Sequence, residues 1–109
     1  MTLLHQLLLK KSPDRTGEQC GLVMKNGEIL ELPNIHPKPL DAFRIDPTQV
    51  VLHYKDAVAT WHTHLGPAML SGADYAMFLN WPDLLHYIVG DDEVKCYKVK
   101  DGAIFEEVQ

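Results

Sequence analysis

His62-Thr63-His64 is the stretch of this chain whose residue types and spacing best suit chemistry. Side chains on an extended strand alternate between faces, so positions two apart point the same way. Two imidazoles on one face, at the end of a strand, can close on a single metal ion. Ten residues beyond His64, after Gly66-Pro67, Asp74 falls in the first turn of an expected helix. Two neutral nitrogens and one carboxylate leave a fourth tetrahedral position for water. That is the layout of a catalytic zinc, whereas a structural zinc is closed by four protein ligands.

Each part alone has a plainer explanation. A His-x-His pair on a strand often fills surface or core, and Ser71-Gly72-Ala73-Asp74 reads equally well as a capping box. The two readings of Ser71 are compatible, since a hydroxyl can cap the helix and still face the site. The pair and the Ser-x-x-Asp, joined by a short turn, are more specific than either.

The elements that must position these residues follow from patterning. Leu3, Leu4, Leu7 and Leu8 recur at helical spacing, and Ser12-Pro13-Asp14 with Gly17 marks a turn. Glu18 to Met24 reads as a buried strand, Asn26-Gly27 as a hairpin signal and Ile29 to Leu32 as the returning strand. Four prolines between 33 and 47 make that stretch irregular or extended, and Asp46-Pro47 caps a short helix over 48–54. Ala57 to His64 is a strand stopped by Gly66-Pro67, and Ser71 opens a helix to about Asn80, before Pro82. Leu85 to Val89 is a strand, and Asp101-Gly102 turns a hairpin between 94–99 and 104–108. The expected fold class is α/β: a single small domain over 1–109, with a mixed β-sheet flanked by helices.

Bulk properties agree with one domain able to bury a core: 109 residues, 46% hydrophobic and 23% charged. The formal net charge of −5 and the absence of a basic cluster argue against nucleic acid as a partner. No apolar run approaches the roughly 18 residues of a membrane span. The charges of Lys10-Lys11 follow the leucine run rather than precede it, which is the wrong polarity for a signal peptide. Cys20 and Cys96 are too few for a disulfide framework and too far apart for a Cys-x-x-Cys motif, so the expected compartment is cytoplasmic. Cys20 reads as core filler, although a thiol two residues from Glu18 could compete for a metal. Trp61 points away from His62 into the core, Trp81 anchors the end of its helix, and His36, His53 and His86 read as surface or partly buried residues.

His62-Thr63-His64 followed by Ser71 and Asp74 resembles the signature of the JAMM metalloproteases, also called the JAB or MPN domain. That signature is His-Ser/Thr-His, a spacer, Ser-x-x-Asp, and a Glu on an upstream strand. Glu18-Gln19-Cys20-Gly21-Leu22 matches the family's Glu-x-Cys-Gly-Leu form, and the likeness continues through Phe43-Arg44-Ile45-Asp46-Pro47 to cover nearly the whole chain. The resemblance implies a JAB/MPN, cytidine-deaminase-like fold holding one zinc ion (Zn2+) per chain through His62, His64 and Asp74. It also implies Glu18 as general base and Ser71 as oxyanion stabiliser; composition alone does not single out Glu18 over Glu28 or Glu31. Zinc lowers the pKa of its water to about 7 and polarises the scissile carbonyl, which lets a nearby carboxylate work at neutral pH.

Two departures stand out. The spacer from His64 to Ser71 holds six residues where seven is common, and Leu65 stands where Pro is usual. A loop can absorb the deletion, or Asp74 can be displaced by about an ångström, which costs about a hundredfold in rate. The expected function is hydrolysis of a peptide or isopeptide bond by metal-activated water. The alternative is a catalytically weak or inactive JAB-fold binding or assembly module. Eukaryotic relatives grip ubiquitin with insertions for which this chain has little room. The compact form looks more like the bacterial and phage tail-assembly branch, without the cell-wall cysteine-peptidase domain that often follows there. Expected partners are a peptide or protein substrate and a tail-assembly or sulfur-carrier-type protein, with no membrane.

Overall fold

The computed structural model of the chain describes residues 2–9, 18–39, 42–64 and 66–108. The turn expected at 12–17, and Leu65, lie outside them. Six strands form one mixed sheet: β1 (Cys20–Met24), β2 (Ile29–Leu32), β3 (Ala57–Thr63), β4 (Leu85–Val89), β5 (Val94–Lys100) and β6 (Ala103–Glu107). Their spatial order is β2-β1-β3-β4-β5-β6. Only β3 and β4 run parallel; every other neighbouring pair is antiparallel. The parallel pair needs a crossover, and the helix α3 (Gly72–Asn80) supplies it. Among the described residues there are two further α-helices, α1 (Leu3–Leu9) and α2 (Pro47–His53).

The sheet is covered on both faces. On one, Leu7 of α1 packs with Val23, Ala59, Trp61, Tyr87 and Val89. On the other, Cys20, Leu22, Phe43, Ile45 and Val50 form one cluster, and Phe78, Ile88, Ala68 and Tyr97 another. Strand alternation therefore sends Trp61 toward α1 and His62 toward α3, as expected from their adjacent positions.

Local chemistry fixes the ends of these elements. The Asp46 side chain accepts from the Thr48 amide and Pro47 occupies the first turn of α2. Asp101 and Gly102 both have positive φ, 53° and 77°, the conformation that a two-residue turn between twisted strands requires. The Asn26-Gly27 loop is wider: it spans 25–28, with the Met24 amide donating to the Glu28 carbonyl. Strand β1 begins at Cys20, so Glu18 and Gln19 precede it, and β3 ends at Thr63, so His64 has left the strand. Among the described residues, no helix is long and apolar enough to cross a membrane.

His86 departs from expectation. It is fully buried on β4, with Phe78 stacked on its ring at 4.2 Å. Its Nε2 lies 3.0 Å from the Trp81 carbonyl and must donate there, so Nδ1, at 2.7 Å, accepts from the Thr60 hydroxyl. Both ring nitrogens are satisfied without a charge, which is what makes the burial tolerable. Trp81, the expected anchor of α3, contributes through its backbone carbonyl as well as through packing against the core.

Candidate metal centre

Three short segments meet at the end of β3. Thr63, between the two histidines, is fully buried; its backbone amide donates to the Gln19 carbonyl at 2.9 Å. Its hydroxyl accepts from the Gln19 amide, also at 2.9 Å. This double tie carries Glu18, the next residue upstream, to the imidazoles. His64 is held by its own amide, which donates to the Val89 carbonyl at 2.8 Å. The turn that follows is pinned to the end of β4, where the Asp91 amide donates to the Gly66 carbonyl at 2.8 Å. Gly66 has φ of 97°, a conformation that favours glycine.

The chain then enters α3 through a complete capping box. The Ser71 hydroxyl accepts from the Asp74 amide at 3.1 Å, and the Ser71 amide donates to Asp74 Oδ2 at 3.1 Å. Because Ser71 Oγ caps as an acceptor, its own proton is available to a further partner. The box also fixes the rotation of the Asp74 carboxylate.

That carboxylate reaches both histidines. Asp74 Oδ1 lies 3.0 Å from His62 Nε2, Asp74 Oδ2 lies 3.0 Å from His64 Nε2, and the two Nε2 atoms are 3.0 Å apart. Ligands at 2.0–2.1 Å from a tetrahedral zinc stand ~3.3 Å from one another, so the spacing fits such an ion with little movement. Glu18 offers a carboxylate oxygen within 4.8 Å of both imidazoles and can join them around a metal. The structure thus brings together Glu18, His62, His64 and Asp74, and places Ser71 against Asp74. Across the six-residue spacer, Asp74 stands 3.0 Å from both imidazoles.

The electrostatics favour a cation. Burial pushes Asp74 upward, but its bonds with His62 and His64 outweigh that and hold the carboxyl well below the usual range. His62 moves down: complete burial dominates over the Asp74 contact. His64 is less buried. Burial lowers it, but the Asp74 hydrogen bond and the charges of Asp74 and Glu18 raise it above the ordinary histidine value. The Asp74 carboxylate thus sets negative charge 3.0 Å from both Nε2 atoms, where a cation would be held.

Other contributors were not singled out in the sequence. Thr63 ties β1 to β3 as described. Phe43 lies flat on the His62 ring, with centroids 4.0 Å apart and planes at 19°, while Phe78 approaches the same ring at 6.1 Å, tilted by 59°. Cys20 is fully buried and fills the core. Its thiol faces the Leu32 carbonyl at 3.6 Å, and burial with the charges of Glu31 and Glu18 pushes it up to about 12.

No family model matches the chain, and no curated protein matches it. Among solved structures, it is similar to the solution structure of a structural-genomics protein from Desulfitobacterium hafniense. That likeness has a TM-score of 0.72 at 22% identity, over 94% of this chain and 84% of the other. It establishes the small α/β fold with its six-stranded mixed sheet.

Proposed function

We propose that the chain is a zinc-dependent hydrolase acting on an amide bond, peptide or isopeptide, with its centre at His62, His64 and Asp74. The observation that carries this reading is the Asp74 carboxylate standing 3.0 Å from both Nε2 atoms with Glu18 alongside. The short spacer, which would favour a non-catalytic binding module, delivers Asp74 to both imidazoles. When bound, the ion supplies Lewis acidity, acidifying a coordinated water and polarising the scissile carbonyl.

The protein's own groups do the rest. Glu18 accepts a proton from the attacking water and hands it to the leaving amine. Ser71 donates its free hydroxyl proton to the developing oxyanion, its lone pair being engaged by the helix cap. His62 is sealed in the core, and His64 is half-buried at its rim.

The test combines metal content with hydrolysis of a library of peptides and isopeptides. One zinc per chain and cleavage are expected, with both lost in a His62→Ala/His64→Ala double variant. Glu18→Gln should keep the metal and lose cleavage. Loss of the metal as well would make Glu18 a ligand, and cleavage at the unaltered rate would remove it as base.

A further inference from the structure

His62 lacks an anchor that ligand histidines usually have. A metal-binding imidazole normally fixes its ring by donating the other N–H to a carboxylate, carbonyl or water. His62 Nδ1 is buried and has no hydrogen-bond partner among the described residues. What touches the ring instead is the face of Phe43. Phe43 belongs to the irregular stretch between β2 and α2, where no ladder holds it.

The side chain that holds this stretch is Asn34. Its Nδ2 donates to the Glu18 carbonyl at 2.9 Å and to the Ala42 carbonyl at 3.1 Å. Its Oδ1 accepts from the His36 amide at 3.1 Å and from the Arg44 amide at 3.0 Å. Two donors and two lone pairs exhaust what an amide side chain can offer. Two of the four bonds grip the residues on either side of Phe43, and a third grips the backbone of Glu18. The Ile35 amide, next along the chain, also donates to the Arg44 carbonyl at 2.9 Å.

We infer that Asn34 is a positioning residue for the metal centre: through Phe43 it orients the His62 ring, and through the Glu18 carbonyl it sets the carboxylate beside that ring. The inference rests on the hydrolase reading for its purpose, but the ring geometry can be measured without it. Phe43 supplies the orientation that a hydrogen bond at Nδ1 would otherwise supply. Asn34 supplies the fixed distance between the aromatic lid and the segment bearing Glu18, just ahead of β1.

The test uses zinc affinity, by competition with a chromogenic chelator at low temperature, and ring NMR of His62 in the metal-free chain. Asn34→Ala and Phe43→Leu should each weaken zinc binding about tenfold to a hundredfold, the range for lost outer-shell support. Phe43→Tyr, which keeps the stacked face, should bind as the unaltered chain does. The double variant should be no weaker than the worse single, since both act on one ring. In the metal-free chain the Nε2–H form of His62 that faces Asp74 should give way to a tautomeric mixture in both variants. If Asn34→Ala does not fold, Phe43→Leu against Phe43→Tyr decides. Unaltered zinc affinity in Asn34→Ala and Phe43→Leu, whatever their melting temperatures, overturns the inference. If the unaltered chain binds no zinc, the hydrolase reading falls and the ring spectrum alone decides: an unchanged ring overturns the inference, a mixed one sustains it.

Discussion

Gly90 and Ala68 meet backbone to backbone: a β carbon on Gly90 would stand 2.5 Å from the Ala68 amide nitrogen. Ala68 is fully buried midway along the short spacer between His64 and Ser71. The spacer therefore crosses the end of β4 with no clearance, and this contact helps set where α3 begins. Gly90→Ala should cost about 1–3 kcal/mol by overpacking and should weaken metal binding by moving Asp74. Urea melts and a zinc titration check both parts. Gly72→Ala serves as control, since a β carbon there meets nothing within 4 Å and should leave stability unchanged or raise it by up to about 1 kcal/mol.

Gly21 is required for a different reason. The Trp61 indole on β3 reaches across β1 to donate to the Leu30 carbonyl on β2 at 3.2 Å. A β carbon on Gly21 would lie 1.8 Å from that carbonyl oxygen and 2.8 Å from the indole nitrogen. Gly21→Ala should destabilise the protein by at least about 3 kcal/mol, because backbone rather than a flexible side chain must give way. Trp61→Phe, which removes the donor and leaves the space, should cost less. Denaturation midpoints of the two variants test the order.

Stability should fall with acid through His86. Burial holds this histidine down to about 4 in the folded chain, outweighing the Trp81 hydrogen bond that raises it. The unfolded chain takes up the proton near 6.5. The neutral ring's contribution is thus complete above about pH 6.5 and is lost progressively as pH falls toward 4, up to about 3 kcal/mol. His86→Gln can keep a donor and an acceptor without titrating, so its metal-free stability should decline less between pH 7 and 4.5. Equal declines in both proteins would refute the assignment.

Both cysteines should resist thiol reagents. Cys20 and Cys96 are buried, and burial leads the causes that push their thiols up to about 12 and about 11. Modification at pH 8 should follow global unfolding, with the rate in rising urea tracking the unfolded fraction. Rapid labelling of Cys20 in native protein would show that the β1–β2 edge opens separately.

How much of this was legible beforehand depends on whether the cause was local. The Asp101-Gly102 turn, the Asp46-Pro47 cap and the Ser71-Asp74 box are written in neighbouring residues, and each is found where patterning puts it. His62 and Trp61 point to opposite faces because alternation leaves no other choice. Asn34 was not visible as a hub, because its partners lie at 18, 36, 42 and 44 and no window along the chain contains them all. Nor was the burial of His86, over which Phe78 of the crossover helix stacks while the Trp81 carbonyl, just past that helix, takes its Nε2–H. Glu18 was marked only by the Glu-x-Cys-Gly-Leu likeness and not by composition; its place beside the imidazoles depends on the register of β1 on β3, which hydrophobicity constrains only to alternate positions.

That register carries a kinetic meaning. Cys20 sits opposite His62 across strands separated in sequence by all of β2 and α2, whereas β5 and β6 close through a two-residue turn. Local hairpins form early and long-range pairings late, since chain closure must precede the contacts that reward it. The imidazoles and Glu18 meet only when the slower pairing is done. Metal capture during refolding would then follow the formation of the C-terminal hairpin and report the last step of assembly.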